Sequence, residues 1–280
     1  MRTLDIAEIT ENIKEMCIEA NHFLSGDMAQ AMQDALNAEE APLGRQILGQ
    51  LKENMAIAGE DMIPICQDTG MAVVFLEVGQ EVHFEGGSLE VAVHEGVRRG
   101  YTEGFLRKSV VRDPIFRDNT NDNTPAVIHY SIVPGDKVRI TVAPKGFGSE
   151  NMSRIFMLKP ADGIEGVKNA VLTAVKDAGP NACPPMVVGV GIGGTFEKCA
   201  LLAKRALTRS VDHRSEIEYV RDLERELIEK INQTGIGPGG LGGNTTALAV
   251  NVETYPTHIA GLPVAVNICC HVNRHVVREL

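Results

Sequence analysis

The 280-residue sequence predicts an α/β or mixed α+β fold, with a mixed β-sheet, surrounding helices and a helical N-terminal region. Three observations carry that expectation. Helical and extended patterns are interleaved along the chain, the opening stretch is helical throughout, and a hydrophobic content of 44% can fill a sizeable core. No internal repeat and no linker marks a boundary, so one domain spanning 1–280 is expected.

From about residue 4 to 58 apolar residues recur at helical intervals: Ile9, Ile13, Met16, Cys17 and Ala20, then Ile47, Leu48, Leu51 and Met55. Extended structure begins at 72–78. Ser88 stands as the N-cap of a helix whose Leu89, Val93, Val97, Tyr101 and Phe105 recur every fourth position. Residues 127–133 (VIHYSIV) and 137–143 (KVRITVA), joined by Pro134-Gly135-Asp136, predict a β-hairpin. A helix at 165–178 leads into NACPPMVVGVGIGG, which combines two prolines, a short strand and a glycine turn, and another helix starts near Thr195. Residues 215–232 give the clearest helix, with Ile217, Val220, Leu223, Leu227 and Ile231 on one face and Glu226 four before Lys230 on the other. Strands TTALAVNV and VAVNI close the chain, the second running into Cys269, Cys270 and His271.

The balance of 37 acidic against 27 basic residues gives a net charge of −10, which argues against nucleic acid or an anionic membrane as partner. The N-terminus lacks the apolar core of a signal peptide and nowhere do 18 apolar residues run together, so a cytoplasmic protein is expected. In that compartment the six cysteines do not predict a disulfide framework, and none forms a CxxC pair.

Two glycine clusters invite a phosphate-binding reading. GVGIGG at 189–194 satisfies G-x-G-x-x-G, but no second strand ending in an acidic residue follows at the required distance, and a tight strand-to-helix turn is the better reading. Gly235 to Gly243 lacks the Lys-Ser/Thr ending of a P-loop; its amides can hold a carboxylate, or its glycines can permit a close backbone approach.

Cys17 and Cys199 lie in apolar helical company and read as packing residues. Cys66, Cys183 and Cys270 each stand at an element boundary beside proline, glycine or polar residues, where three thiolates can hold one iron–sulfur cluster or serve as scattered structural thiols. Four irons with three protein ligands leave one iron open as a Lewis acid, a chemistry suited to adding or removing water in a hydroxy acid. Arg107, Asp68 and His258 are candidates for the accompanying cation and proton-transfer groups. Each also has a plainer reading, as a surface partner of Glu103, a turn residue and a loop residue respectively.

ICQDTG, LRKSVVRDP, NDNTPAVIHY, KGFGSENMSR, NACPPMVVGVGIGG, GIGPGGLGGNTTALAV and NICCHVNRH occur in that order, and together they make the whole chain resemble the class I, iron–sulfur fumarate hydratases and their tartrate dehydratase relatives. The resemblance implies a [4Fe-4S] cluster held by Cys66, Cys183 and Cys270 with one open iron. Cys269 departs from the family pattern, which often has another residue there. It implies substrate contacts at Gln67, Asp68 and Arg107 and in the KGFGSEN loop (Gly146, Gly148, Ser149, Glu150 and Asn151), with Asp68 and His258 in the proton-transfer network. Phe147 stands where many members have glycine. The length matches the α subunit of two-subunit members, so the expected function is the α subunit of a fumarate hydratase interconverting fumarate and (S)-malate. The expected assembly is with a β subunit, as a heterodimer or its dimer. L-tartrate dehydratase is the alternative within the family, and a non-catalytic iron–sulfur sensor the alternative outside it.

Overall fold

The helical intervals of the opening stretch are realised as three helices preceded by one short strand. The computed structural model describes residues 1–280, and its elements in chain order are β1 (Arg2–Asp5), α1 (Ile6–His22), α2 (Gly26–Ala38), α3 (Pro42–Asp61), β2 (Met71–Gly79), β3 (Val82–Glu85), α4 (Leu89–Glu103), β4 (Val127–Val133), β5 (Val138–Lys145), α5 (Phe147–Glu150), β6 (Arg154–Leu158), α6 (Gly163–Ala178), β7 (Met186–Gly193), α7 (Phe196–Ala206), α8 (Glu218–Asn232), β8 (Ala247–Tyr255), β9 (Leu262–Cys269) and β10 (Val276–Glu279). The fold is mixed α and β, as expected. The chain divides into two units: Met1–Ser25, Met55–Phe147 and Arg274–Leu280 form the first, and Gly26–Asn54 and Gly148–Asn273 the second. Because the segments alternate along the chain, no single linker separates them.

In the first unit a mixed sheet has the order β10-β5-β2-β4, with β2 antiparallel to β5 and parallel to β4. Val74, Leu76, Ile140 and Val142 share a core with Ile9, Ile13 and Met16 of α1 and Val93, Val97 and Tyr101 of α4. α1 and α4 approach closely because Gly96 and Gly100 carry no side chain: a Cβ there would sit 2.7 Å from Thr10 O and 2.7 Å from Cys17 Cβ. Ser88 is the N-cap residue of α4, although its side chain makes no capping hydrogen bond.

The expected hairpin of 127–133 and 137–143 is not formed. Both strands exist, but each pairs with β2, which lies between them. The connection instead wraps the end of β2: Gly79 N–H donates to Lys137 O, Gln80 N–H to Val133 O and Glu81 N–H to Gly135 O, at 2.8, 2.9 and 3.0 Å. A Cβ on Gly79 would stand 2.4 Å from Gly135 O, so glycine is needed for this crossing.

The second unit is built on a sheet of order β6-β9-β7-β8. Alternation along β9 sends Val264, Val266 and Ile268 into a core with α6 and α8, while Ala265 packs on the other face against Cys199 and Ala203 of α7. Val220, Leu223, Leu227 and Ile231 of α8 are buried as its periodicity predicts, whereas Ile217 is exposed; Glu226 pairs with Lys230 at 2.9 Å. GVGIGG serves close packing. A Cβ on Gly189 or Gly191 would lie 2.2 Å from Ala203 O or 2.0 Å from Cys199 O, so these glycines seat α7 on β7. No helix is long and apolar enough to cross a membrane.

Candidate active site

In the first unit the strand register gathers the site residues. Met71 at the start of β2 pairs with Lys145 at the end of β5, so the ICQDTG loop before one strand meets the KGF turn after the other. The parallel β4 begins at the same end, Val127 being the partner of Val73, and brings the segment after α4 with it. Hydrogen bonds lock these loops. Asn123, fully buried, donates from Nδ2 to Gly70 O at 3.0 Å and accepts from the amides of Ser109 and Val110 at 2.7 and 3.2 Å. Thr69 Oγ1 donates to Arg107 O at 3.0 Å, and buried Tyr101 donates its hydroxyl to Thr69 O at 2.6 Å.

Asp68 ties the two turns together. Its Oδ1 accepts the Gly70 amide at 3.0 Å and its Oδ2 the Phe147 amide at 2.9 Å, while Arg274 donates to its backbone oxygen. Gly146 permits this contact, since a Cβ there would lie 3.1 Å from Asp68 Oδ2. Cys66 is half-buried; its Sγ accepts the Asp68 amide at 3.4 Å and lies 3.3 Å from Gln67 Oε1. Gln67 and Arg107 are exposed. Glu103, the plainer partner for Arg107, pairs with Lys14 at 3.4 Å instead.

The second unit gathers its residues by the same device. Val187 near the start of β7 pairs with Cys269 at the end of β9, so Cys183 before β7 and Cys270 after β9 fall at one end of the sheet. His271 joins them: its amide and its Nδ1 reach Cys183 O at 3.4 and 3.0 Å. A carbonyl only accepts, so the proton of that ring sits on Nδ1. Cys183 is exposed and takes left-handed backbone angles, φ 51° and ψ 63°, uncommon for a residue with a Cβ. β6 runs antiparallel to β9, Arg154 opposite Val266, which brings Gly148 to Asn151 to this end as well.

Within that segment Gly148 and Asn151 are exposed and Ser149 is buried. Glu150 is firmly held: Lys204 of α7 pairs with Oε1, and Asn267 of β9 donates to Oε2 at 2.8 Å and to Ser153 Oγ at 2.7 Å. Sequence reasoning missed Lys204, Ser153 and Asn267, whose only signal is their position on core elements. The Gly235–Gly243 loop follows its close-approach reading, Gly237 and Gly240 lying against the Gly242 and Pro180 backbones; the carboxylate nearby, the protein's own Glu39, is held by the next two amides, Asn244 and Thr245, at 2.9 Å.

His258 is not gathered with the cysteines of its unit. It lies in the exposed β8–β9 connection, at the other end of the sheet, and the nine residues of β8 separate the two ends by roughly 25 Å. The Ala260 amide donates to its Nδ1 at 3.2 Å, which places the neutral ring's proton on Nε2.

The thiols divide into two groups by environment. Cys17 and Cys199 are fully buried and Cys269 is 3% exposed. Burial pushes the Cys17 thiol up to about 12 and also raises that of Cys199, the environment of inert packing cysteines. Cys66, Cys183 and Cys270 are the three that reach the surface. No three His, Cys, Asp or Glu side chains converge as the ligands of a single metal ion. Each of the three accessible thiols has the donor chemistry that an iron–sulfur cluster takes from its protein ligands.

The chain belongs to the fumarate hydratase (Fumerase) family, whose model matches residues 10–279. Among its relatives, a protein of Methanocaldococcus jannaschii provisionally named L(+)-tartrate dehydratase subunit alpha is 40% identical over 279 residues, covering 98% of each chain. The L(+)-tartrate dehydratase subunits alpha of Escherichia coli and Shigella sonnei are 31% and 30% identical, each covering 96% of this chain and 89% of the relative.

Proposed function

We propose that this chain is the α subunit of an iron–sulfur hydro-lyase that interconverts fumarate and (S)-malate. The observation that carries the proposal is the division of thiols: within a family match over nearly the whole chain, the three cysteines at loop ends are accessible and the other three are buried. Cys66, Cys183 and Cys270 would hold a [4Fe-4S] cluster, which when bound supplies Lewis acidity from the iron that lacks a protein ligand.

The chain's own groups supply binding and proton transfer. Arg107 offers an exposed planar guanidinium that binds a substrate carboxylate through two charge-assisted hydrogen bonds. Gln67 and Asn151 present exposed amides and Gly148 an exposed backbone to a small dianion, while Gly146 lets the loop close on Asp68. Ser149 and Glu150, held from within, keep that loop in place. Asp68 takes the carbon-bound proton of malate on a carboxylate oxygen and returns it in the hydration direction, while the Gly70 and Phe147 amides fix its orientation. His258, at the far end of its sheet from Cys183 and Cys270, is left outside this network. The subunit names of the relatives support a β partner.

L(+)-tartrate is the second reading, favoured by those same names. The test is anaerobic reconstitution with the partner subunit, followed by parallel assays of fumarate through its ultraviolet absorbance and of tartrate through release of the keto acid. Turnover of fumarate with a higher kcat/KM than tartrate supports the first reading; the reverse order replaces it with the second.

A further inference from the structure

Arg274, which the site described above leaves without a role, stands at an unusual position for a guanidinium. It is 4% exposed, and its Nε and Nη1 have no hydrogen-bond partner. Its remaining nitrogen, Nη2, donates to the backbone oxygen of Asp68. No carboxylate of the protein forms an ion pair with it; the nearby Asp68 side chain bonds instead to the amides of Gly70 and Phe147. A buried permanent charge without a counter-charge is costly, so such an arginine belongs beside an anion supplied from elsewhere.

The location says which anion. Asp68, whose carbonyl braces Arg274, donates its own amide to Cys66 Sγ at 3.4 Å. Three thiolates outweigh the charge of an oxidised [4Fe-4S] core, so the loaded cluster is an anion. A substrate carboxylate would leave Arg274 unpaired in every catalytic cycle, whereas a resident group compensates it throughout; exposed Arg107 suits the exchanging ligand and buried Arg274 the resident one. Resting on the iron–sulfur reading, we propose that Arg274 is a cluster-anchoring residue, whose guanidinium is braced by Asp68, donates N–H to sulfur on the Cys66 side and balances the negative charge there.

The experiment compares wild type, Arg274→Gln and Arg274→Lys, each as the full chain, before and after anaerobic cluster reconstitution. Iron and sulfide content, the half-life of visible absorbance under an iron chelator, and the melting temperature of both forms are read. Arg274→Gln is expected to lose its cluster about tenfold faster, the scale of lost support around a metal site. Its melting temperature should rise less on loading than that of wild type, and without the cluster it should match or exceed wild type. Arg274→Lys keeps the charge but not the fork, and falls between. Equal cluster half-life and an equal rise on loading would overturn the proposal. So would Arg274→Gln that is destabilised alike in both forms or fails to fold, which makes the arginine a brace only, or an unchanged half-life with a raised KM, which makes it a substrate group. Wild type that takes up no cluster fails the iron–sulfur reading itself.

Discussion

Asp68→Asn tests whether the carboxylate joins the ICQDTG loop to the KGF turn. The aspartate accepts two backbone amides, Gly70 on Oδ1 and Phe147 on Oδ2. Asparagine has one acceptor oxygen, so in either amide orientation an N–H faces an NH2 group and one bond is lost. A hydrogen bond to a charged acceptor contributes about 1.5–3 kcal/mol, and the surviving bond weakens as its acceptor becomes neutral. The Phe147 contact should therefore weaken by roughly 2–3 kcal/mol, about 30- to 150-fold in the opening equilibrium at 1.4 kcal/mol per decade. Native-state amide hydrogen exchange reads this directly. Protection of the Phe147 and Gly70 amides should fall by that factor, with β8 amides unchanged. A folded Asp68→Asn chain with wild-type protection at Phe147 and Gly70 would refute the reasoning.

Three further outcomes follow from the packing and electrostatics. Burial raises the pKa of Glu39, but the amides of Asn244, Ala41 and Thr245 outweigh it and hold the carboxyl below its ordinary 4.5. Its stabilising contribution is thus complete above that value and lost as pH falls through the lower folded pKa, so Glu39→Gln should flatten the acid side of a melting-temperature profile; an unchanged slope contradicts the assignment. Gly191→Ala drives a Cβ toward Cys199 O, 2.0 Å away, and should cost about 1–3 kcal/mol by overpacking, seen as a lower urea midpoint. Alkylation of the native, cluster-free chain should label Cys66, Cys183 and Cys270 and spare Cys17, Cys199 and Cys269 until denaturant is added; peptide mapping that finds Cys269 labelled ahead of Cys270 reverses the C-terminal ligand assignment.

Much of the architecture was legible because it rests on local periodicity. β4 occupies the 127–133 expected of it, and α8 buries the stripe that starts at Val220. The hairpin misreading shows where locality ends: a short turn between two strands suggests direct pairing, yet β2, which ends at Gly79, far upstream of the turn, inserts between them. β1, β3, β6 and β10 escaped notice because each has only four or five residues, too few for an alternation to register. The two units were hidden by the alternation of their segments along the chain. At the site, the boundary positions of Cys66, Cys183 and Cys270 were readable from neighbouring prolines, glycines and polar residues. Glu150's anchoring by Lys204 and Asn267 was not, since it depends on α7 and β9 meeting one loop. His258 appears beside the cysteines in a list of motifs, but the length of β8 carries it to the far end of the sheet.

The central claim is that Cys66, Cys183 and Cys270 together hold the group on which hydration depends. Its most direct test is iron and sulfide content together with fumarate hydration, measured anaerobically with the partner subunit for wild type and for Cys66→Ser, Cys183→Ser, Cys270→Ser and Cys269→Ser. Wild type and Cys269→Ser should take up a cluster and form malate, while each of the other three loses both cluster and turnover. Full hydration by any one of those three, or by wild type shown to contain no iron, would contradict the account.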